Sequence, residues 1–267
     1  MVNPEVFPEN ESFSSAEKER PFRVLSVGVD LDDTFFHIAK PSLKKLNKEF
    51  GTNFTTNDIK TFWYIQDFLK RIGKTEKEIE SFLNEVYRSL DDEHRVYRNS
   101  PAISGAVEVL NGIYRVGHQP FVLTSRPPGL EKIAEEQFRA VGIDWIKNDW
   151  ANGGNILIRD DEYWEEMTGE EFKLTAIGGN FTFGKYEDFP GLDVHLDDMG
   201  ELIHHGLAAK IKDRIFILAQ RQNLKIVPKT NLIKNWWVFY KVIRCLSRDE
   251  DLDWLTSHNV DTTLRSM

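Results

Sequence analysis

The chain has one cysteine, Cys245, in 267 residues. A single thiol can form neither an internal disulfide nor a thiolate metal cluster, so a reducing, cytoplasmic setting is expected. Cys245 lies in an apolar helical stretch, where packing is its expected role. Basic residues are also scarce: 34 Lys and Arg face 43 Asp and Glu, a net charge of -9. That balance argues against a surface for a nucleic-acid polymer. No apolar run is long enough to span a bilayer, so no membrane partner is expected. Residues 1–20 lack an apolar signal core and read as a disordered lead-in. No grouping of His or Cys has zinc-ligand spacing. His204 and His205 are adjacent rather than one helical turn apart, and are expected at the surface.

Against these absences stands a crowd of carboxylates. Residues 23 to 34 read Arg-Val-Leu-Ser-Val-Gly-Val-Asp-Leu-Asp-Asp-Thr, an apolar run that ends in Asp30, Asp32 and Asp33. Like charges packed this closely repel, and one is pushed toward protonation unless a cation joins them. Alone, Asp-x-Asp-x-Thr reads equally well as a polar turn, because Asp tolerates the left-handed conformation and bonds its own backbone. The apolar run before it favours a buried strand with a ligand at its C-terminal tip, where open α/β sheets place their ligands.

Further along, the α/β rhythm breaks and then resumes. Over roughly 41–95, Leu43, Leu46 and Phe50, then Ile59, Phe62, Trp63, Phe68 and Leu69, then Ile79, Phe82, Leu83, Val86, Tyr87 and Leu90 recur at helical spacing, with no strand between. Strand-like runs follow at Gln119–Leu123, Asn155–Arg159, Leu192–Leu196 and Arg214–Leu218, with helical patterns at 106–113, 130–141 and 232–246. Strands separated by helices imply a mostly parallel, Rossmann-like sheet flanked by helices. The expected division is an α/β core over 21–38 and 98–250, with a small helical cap inserted over 39–97. The stretch 160–190 has turn signals and no clear element.

Three of the strands end in polar clusters: Asp30/Asp32, Thr124/Ser125 and Asp197/Asp198. In a parallel sheet these tips share one edge. Oxygen-only ligands gathered there suit a hard cation, Mg²⁺, completed by waters and a substrate phosphate.

In these motifs and their order the chain resembles the haloacid dehalogenase-like phosphohydrolases. The matching segments are Asp30-Leu-Asp32-Asp-Thr34, Phe121-Val-Leu-Thr124, a lysine upstream of the last motif, and Asp197-Asp198. The resemblance implies that Asp30 is the nucleophile forming an aspartyl-phosphate, and that Asp32 is general acid and then general base. It also implies that Asp32 gives a backbone carbonyl to Mg²⁺, and that Thr124, Ser125 and a lysine hold the phosphoryl oxygens. Lys185 is the lysine expected in that place, with Lys173 its rival. One or both of Asp197 and Asp198 complete the metal site, Asp198 being the expected direct ligand. Gly179 to Lys185 also nearly matches a phosphate-binding loop. Tyr186 replaces the required Ser or Thr, however, and no clear first strand precedes it.

Within the family the chain looks most like the 5'(3')-deoxyribonucleotidase branch. Phe62-Trp63 in the cap, Thr124-Ser125-Arg126-Pro127, the turn at Gln222-Asn223 and Trp236-Trp237 in the last helix carry that likeness. It implies a nucleoside monophosphate as the small phosphate-ester partner, contacted by Phe62, Trp63, Tyr97 and Arg126, and it is compatible with a homodimer. The alternatives are a phosphatase of sugar phosphates or other small metabolites, and a non-catalytic protein that binds a phosphorylated ligand.

Overall fold

A computed structural model describes residues 22–61, 63–88, 96–220, 223 and 226–255. The lead-in expected over 1–20 lies outside the described residues, as do Phe62, Leu90 and Gln222. Six parallel strands form one sheet: β1 (Ser26–Val29), β2 (Gln119–Thr124), β3 (Ile156–Ile158), β4 (Val194–Asp197), β5 (Ile215–Leu218) and β6 (Leu232–Ile233). Their spatial order is β3-β2-β1-β4-β5-β6. The order reverses between β1 and β4, so the crevice of this open sheet falls at the tips of those two strands.

Side chains alternate across the sheet. Val122, Ile156, Phe216 and Leu218 face one apolar cluster, while Leu123, Leu157, Ile215 and Ile217 face another. The first cluster is closed by α4 (Ala106–Arg115), α5 (Glu131–Ala140) and α8 (Trp236–Leu246). The second is closed by α7 (Gly169–Gly178) and α6 (Asp161–Glu166). Asn155–Arg159, expected to be a strand, is β3 at the sheet edge. The segment Leu232–Leu246, expected to be one helix, is divided instead. Leu232 and Ile233 pair with β5, and Asn235 then caps α8 by accepting from the Val238 amide at 3.0 Å.

Between β1 and α4 the described chain forms only helices: α1 (Ala39–Phe50), α2 (Tyr64–Arg71), α3 (Glu76–Arg88) and a 3₁₀ turn at Thr56–Asp58. Phe50, Phe54, Phe68 and Phe82 pack edge-to-face among them at 5.1–5.7 Å. The expected capping box before α3 is present, with Thr75 and Glu78 bonded reciprocally. This helical segment leaves and returns at neighbouring points. Phe36 bridges Ala102, the His37 amide donates to the Pro101 carbonyl at 2.9 Å, and the Ile103 amide donates to Phe35 at 2.8 Å. Among the described residues no helix is long and apolar enough to cross a membrane.

Candidate active site

The tips of β1 and β4 are stitched together, because the Asp30 amide donates to the Leu196 carbonyl at 2.8 Å. Their acidic residues therefore converge. Asp30, Asp197 and Asp198, all buried, each offer a carboxylate oxygen within 4.8 Å of the others. Among the described residues one ammonium answers them. Lys173 on α7 reaches Asp30 Oδ1 at 2.8 Å and Asp197 Oδ2 at 2.9 Å, and its side chain is only 3% exposed.

The three carboxylates have different surroundings. Asp197 is saturated: besides Lys173 it meets His195 Nε2 at 2.9 Å and accepts from the Met199 amide at 2.9 Å. The Lys173 ammonium and the His195 bond hold it down at about 2, against the cost of its burial. Among the described residues the Asp198 carboxylate has only a long contact, 3.5 Å, from the Thr34 hydroxyl to Oδ1. Burial first, then Asp30, Asp197 and Asp33, push its carboxyl well above the ordinary range. Burial also pushes Asp30 up to about 8, with Lys173 pulling it down and Asp197 and Asp32 adding to the rise. This is a site short of positive charge, with Asp198 the carboxylate least engaged by protein donors.

Several quieter residues set this geometry. His195 is fully buried two positions before Asp197, on the same face of β4, and burial pushes its imidazole down. It needs Gly28 on the neighbouring strand, because a Cβ there would lie 2.7 Å from His195 Nδ1. Asn223, also fully buried, donates to the carbonyls of Asp198 at 2.6 Å and Leu218 at 3.0 Å and accepts from the Gly200 amide at 3.2 Å. It ties the turn after β5 to the turn after β4. Asp33 adopts φ 55° and accepts from the Ala39 amide at 2.9 Å, so it shapes the turn into α1. Thr34 is buried, and its carbonyl accepts from Trp236 Nε1 at 3.0 Å.

Beside the carboxylates opens a cavity of about 600 Å³. Asp32, Asp198, Ser125 and Arg126 line it at the sheet edge, with Tyr97 stacked on Arg126, and Trp63 and Tyr64 line it from the helical segment. Asp30, Thr124, Lys173 and Asp197 are buried next to it. Trp63 is 49% exposed, just before α2. Of the substrate contacts expected from sequence, Trp63, Tyr97 and Arg126 thus reach the cavity, and Phe62 lies outside the described residues.

The lysine requires a correction. Lys185, expected to hold phosphate, pairs with Asp160 at 3.0 Å and is 38% exposed. Its segment starts at Gly179, the C-cap of α7, rather than after a strand, so no phosphate-binding loop forms there. Lys173, the rival, occupies the site. Arg126 holds a further difference. Its guanidinium donates to both oxygens of Asp32, at 2.6–3.1 Å, instead of projecting freely into the cavity. Sequence reading did not single out His195 or the packing of Asn223. A histidine inside an apolar strand was the one available signal, since strand period places it beside Asp197.

No protein-family model matches the chain, and no curated protein matches it in sequence. Solved structures do match it in shape. A predicted phosphatase from Clostridium acetobutylicum is 12% identical with a TM-score of 0.55, over 83% of this chain and 99% of that one. A haloacid dehalogenase-like family hydrolase from Streptococcus pneumoniae is 12% identical with a TM-score of 0.52, over 82% and 98%. The Mycobacterium tuberculosis Protein Tyrosine Kinase A is 16% identical with a TM-score of 0.51, over 84% and 99%. At these identities the likeness is one of architecture, and the chain has the haloacid dehalogenase-like α/β fold.

Proposed function

We propose that the chain is a Mg²⁺-dependent phosphomonoesterase working through an aspartyl-phosphate, with nucleoside monophosphates, deoxy forms preferred, as substrates. The observation that carries this reading is the convergence of Asp30, Asp197 and Asp198 within 4.8 Å around a single buried lysine. An oxygen-only donor set with surplus negative charge fits a hard divalent cation. Asp30 and Asp198 would hold it, together with the Asp32 carbonyl. When bound, Mg²⁺ supplies the positive charge that offsets repulsion between the attacking carboxylate and the phosphate.

The residues of the chain supply the rest. Asp30 attacks phosphorus, the bond to the ester oxygen breaks, and the electron pair leaves with that oxygen. Asp32, on the cavity wall, gives the departing alkoxide a proton. The same carboxylate then takes a proton from the water that attacks the aspartyl-phosphate, which releases orthophosphate and regenerates Asp30. Lys173, Thr124 and Ser125 stabilise charge on the transferring oxygens. A cavity of about 600 Å³ accommodates a ligand of nucleotide size. Trp63, half-exposed in its lining, offers a face on which a base can stack.

Turnover of a panel of nucleoside monophosphates and sugar phosphates, with and without Mg²⁺, tests the proposal against an Asp30→Asn control. The reading predicts Mg²⁺-dependent release of phosphate, strongest for nucleotides and lost in the control. Equal background in both proteins would overturn the enzymatic reading. Preference for sugar phosphates would overturn the nucleotide part alone.

A further inference from the structure

Arg126 is one of the most confined groups in the molecule. Its side chain is 0% exposed, whereas that of its partner Asp32 is 29% exposed. Nε lies 3.0 Å from Asp32 Oδ1 and 3.1 Å from Oδ2, and Nη2 lies 2.6 Å from Oδ1. On the other side Nη1 donates to Gln137 Oε1 at 2.6 Å. Gln137 is itself anchored, donating through Nε2 to the Tyr97 carbonyl. The Tyr97 ring closes the bracket, with the guanidinium carbon 3.9 Å from its centroid. The Arg126 amide donates to Thr124 Oγ1 at 3.3 Å, which fixes the backbone as well.

A guanidinium braced in this way cannot swing out to meet a ligand without giving up its partners. It can, however, fix Asp32, a carboxylate that lines the cavity. A planar fork sets both the position and the plane of a carboxylate, which a point charge does not. The fork is anchored on α5 through Gln137 and on Tyr97, where the chain returns from the helical segment.

We propose that Arg126 is a positioning residue: with Gln137 and Tyr97 it aligns Asp32 for proton transfer to the leaving group and does not bind the phosphate. This rests on the phosphomonoesterase reading. It predicts a defect that depends on the leaving group. An alkoxide such as the sugar oxygen of a nucleoside needs a proton as its bond breaks, whereas p-nitrophenolate leaves without one.

The experiment is single-turnover kinetics of the full chain with Mg²⁺. Nucleoside release from a nucleoside monophosphate is compared with p-nitrophenolate release from p-nitrophenyl phosphate, in the wild type, Arg126→Ala and Arg126→Lys. Arg126→Ala is expected to slow nucleoside release by about 10²-fold, the lower range for loss of general acid catalysis, and to leave p-nitrophenolate release unchanged. Arg126→Lys is expected to fall between, because it restores charge without the fork. Equal loss with both esters would overturn the proposal in favour of a purely structural brace. A rise in KM without a change in the single-turnover rate would overturn it in favour of direct substrate binding. Should the arginine variants fail to fold by circular dichroism, Gln137→Met, which frees one side of the guanidinium, is read by the same ratio. A wild type inert toward both esters would refute the phosphomonoesterase reading itself. An active wild type whose variants show no leaving-group dependence would refute only the role of Arg126.

Discussion

The two walls of the cavity are built differently. On the sheet side Asp30, Asp32 and Asp197 are held by basic side chains, and Asp198 is held through its backbone. Lys173 spans Asp30 and Asp197, Arg126 grips Asp32 with two nitrogens, and Asn223 pins the carbonyl of Asp198. The helical segment contributes a mixed lining, with Trp63, Tyr64 and Tyr87 among Thr56, Asn57 and Gln66, and Trp63 stands 49% exposed before a short helix. The sheet side fixes charge and direction, which reaction at phosphorus requires. The helical side offers flat apolar area, which bears on the leaving group. Under the proposed function the first wall sets whether phosphate is cleaved, and the second sets which ester is chosen.

The comparison breaks most visibly at Asp32. Asp32→Asn should lower kcat for a nucleotide by about 10²–10⁴-fold, the usual range for a general acid–base group. Steady-state kinetics at saturating Mg²⁺ checks this, and a change in KM alone would count against the assigned role.

Lysine replacement divides the site from its surroundings. Lys173→Met removes the cation between Asp30 and Asp197 and should cost about 10²–10³-fold in kcat. It should also destabilise the metal-free protein by about 3–5 kcal/mol, because buried carboxylates are left uncompensated. Lys185→Ala should change neither quantity, since its surface pair with Asp160 contributes little. Denaturant titration and kinetics on the two variants test this together, and a larger effect at Lys185 would reverse the assignment.

The charge deficit gives a pH signature. The folded-state pKa of Asp30 is raised from 3.8 to about 8, so its contribution to stability is fully present below about 3.8 and is lost as pH rises through about 8. Asp198 shifts the same way. Asp197, lowered to about 2, contributes stability above its ordinary value that is lost as pH falls through about 2. The Tm of chelator-treated protein should therefore decline between about 4 and about 8. Added Mg²⁺ should offset the decline, and Asp30→Asn should flatten it. A Tm that rises through that interval without metal would contradict the burial argument.

The smallest effect is expected on the helical side. Trp63→Ala should cost about 1–3 kcal/mol in kcat/KM for a nucleotide, the range for a lost base stack. It should leave kcat/KM for a small aryl phosphate unchanged. Equal losses for both substrates would mean that Trp63 does not discriminate among leaving groups.

Much of this organisation was legible in the sequence because it rests on local patterns. The apolar run into Asp30 and the one into Asp197 announce buried strands ending in carboxylates, and the sheet order brings them together. The lysine was less legible. Lys185 sits in a Gly-Lys turn that resembles phosphate-binding segments, while Lys173 is embedded in Phe-Lys-Leu-Thr-Ala-Ile on a helix buried on nearly every side. Such a helix has no polar stripe, so hydrophobic period fails to reveal it, and only the Thr168–Glu171 capping box marks its start. β6 is two residues long, too short to carry an alternation. The grip of Arg126 on Asp32 joins residues 94 positions apart, and no local pattern encodes it.

The central claim is that Asp30 is the group that receives the phosphoryl. Acid quenching during turnover of a nucleoside monophosphate, followed by peptide mapping by mass spectrometry, tests it most directly. The account predicts a phosphoryl group on the peptide at Asp30 in the wild type and none in Asp30→Asn. Phosphate release with no phosphorylated Asp30 at any time point, or a phosphoryl group trapped on another residue, would contradict it.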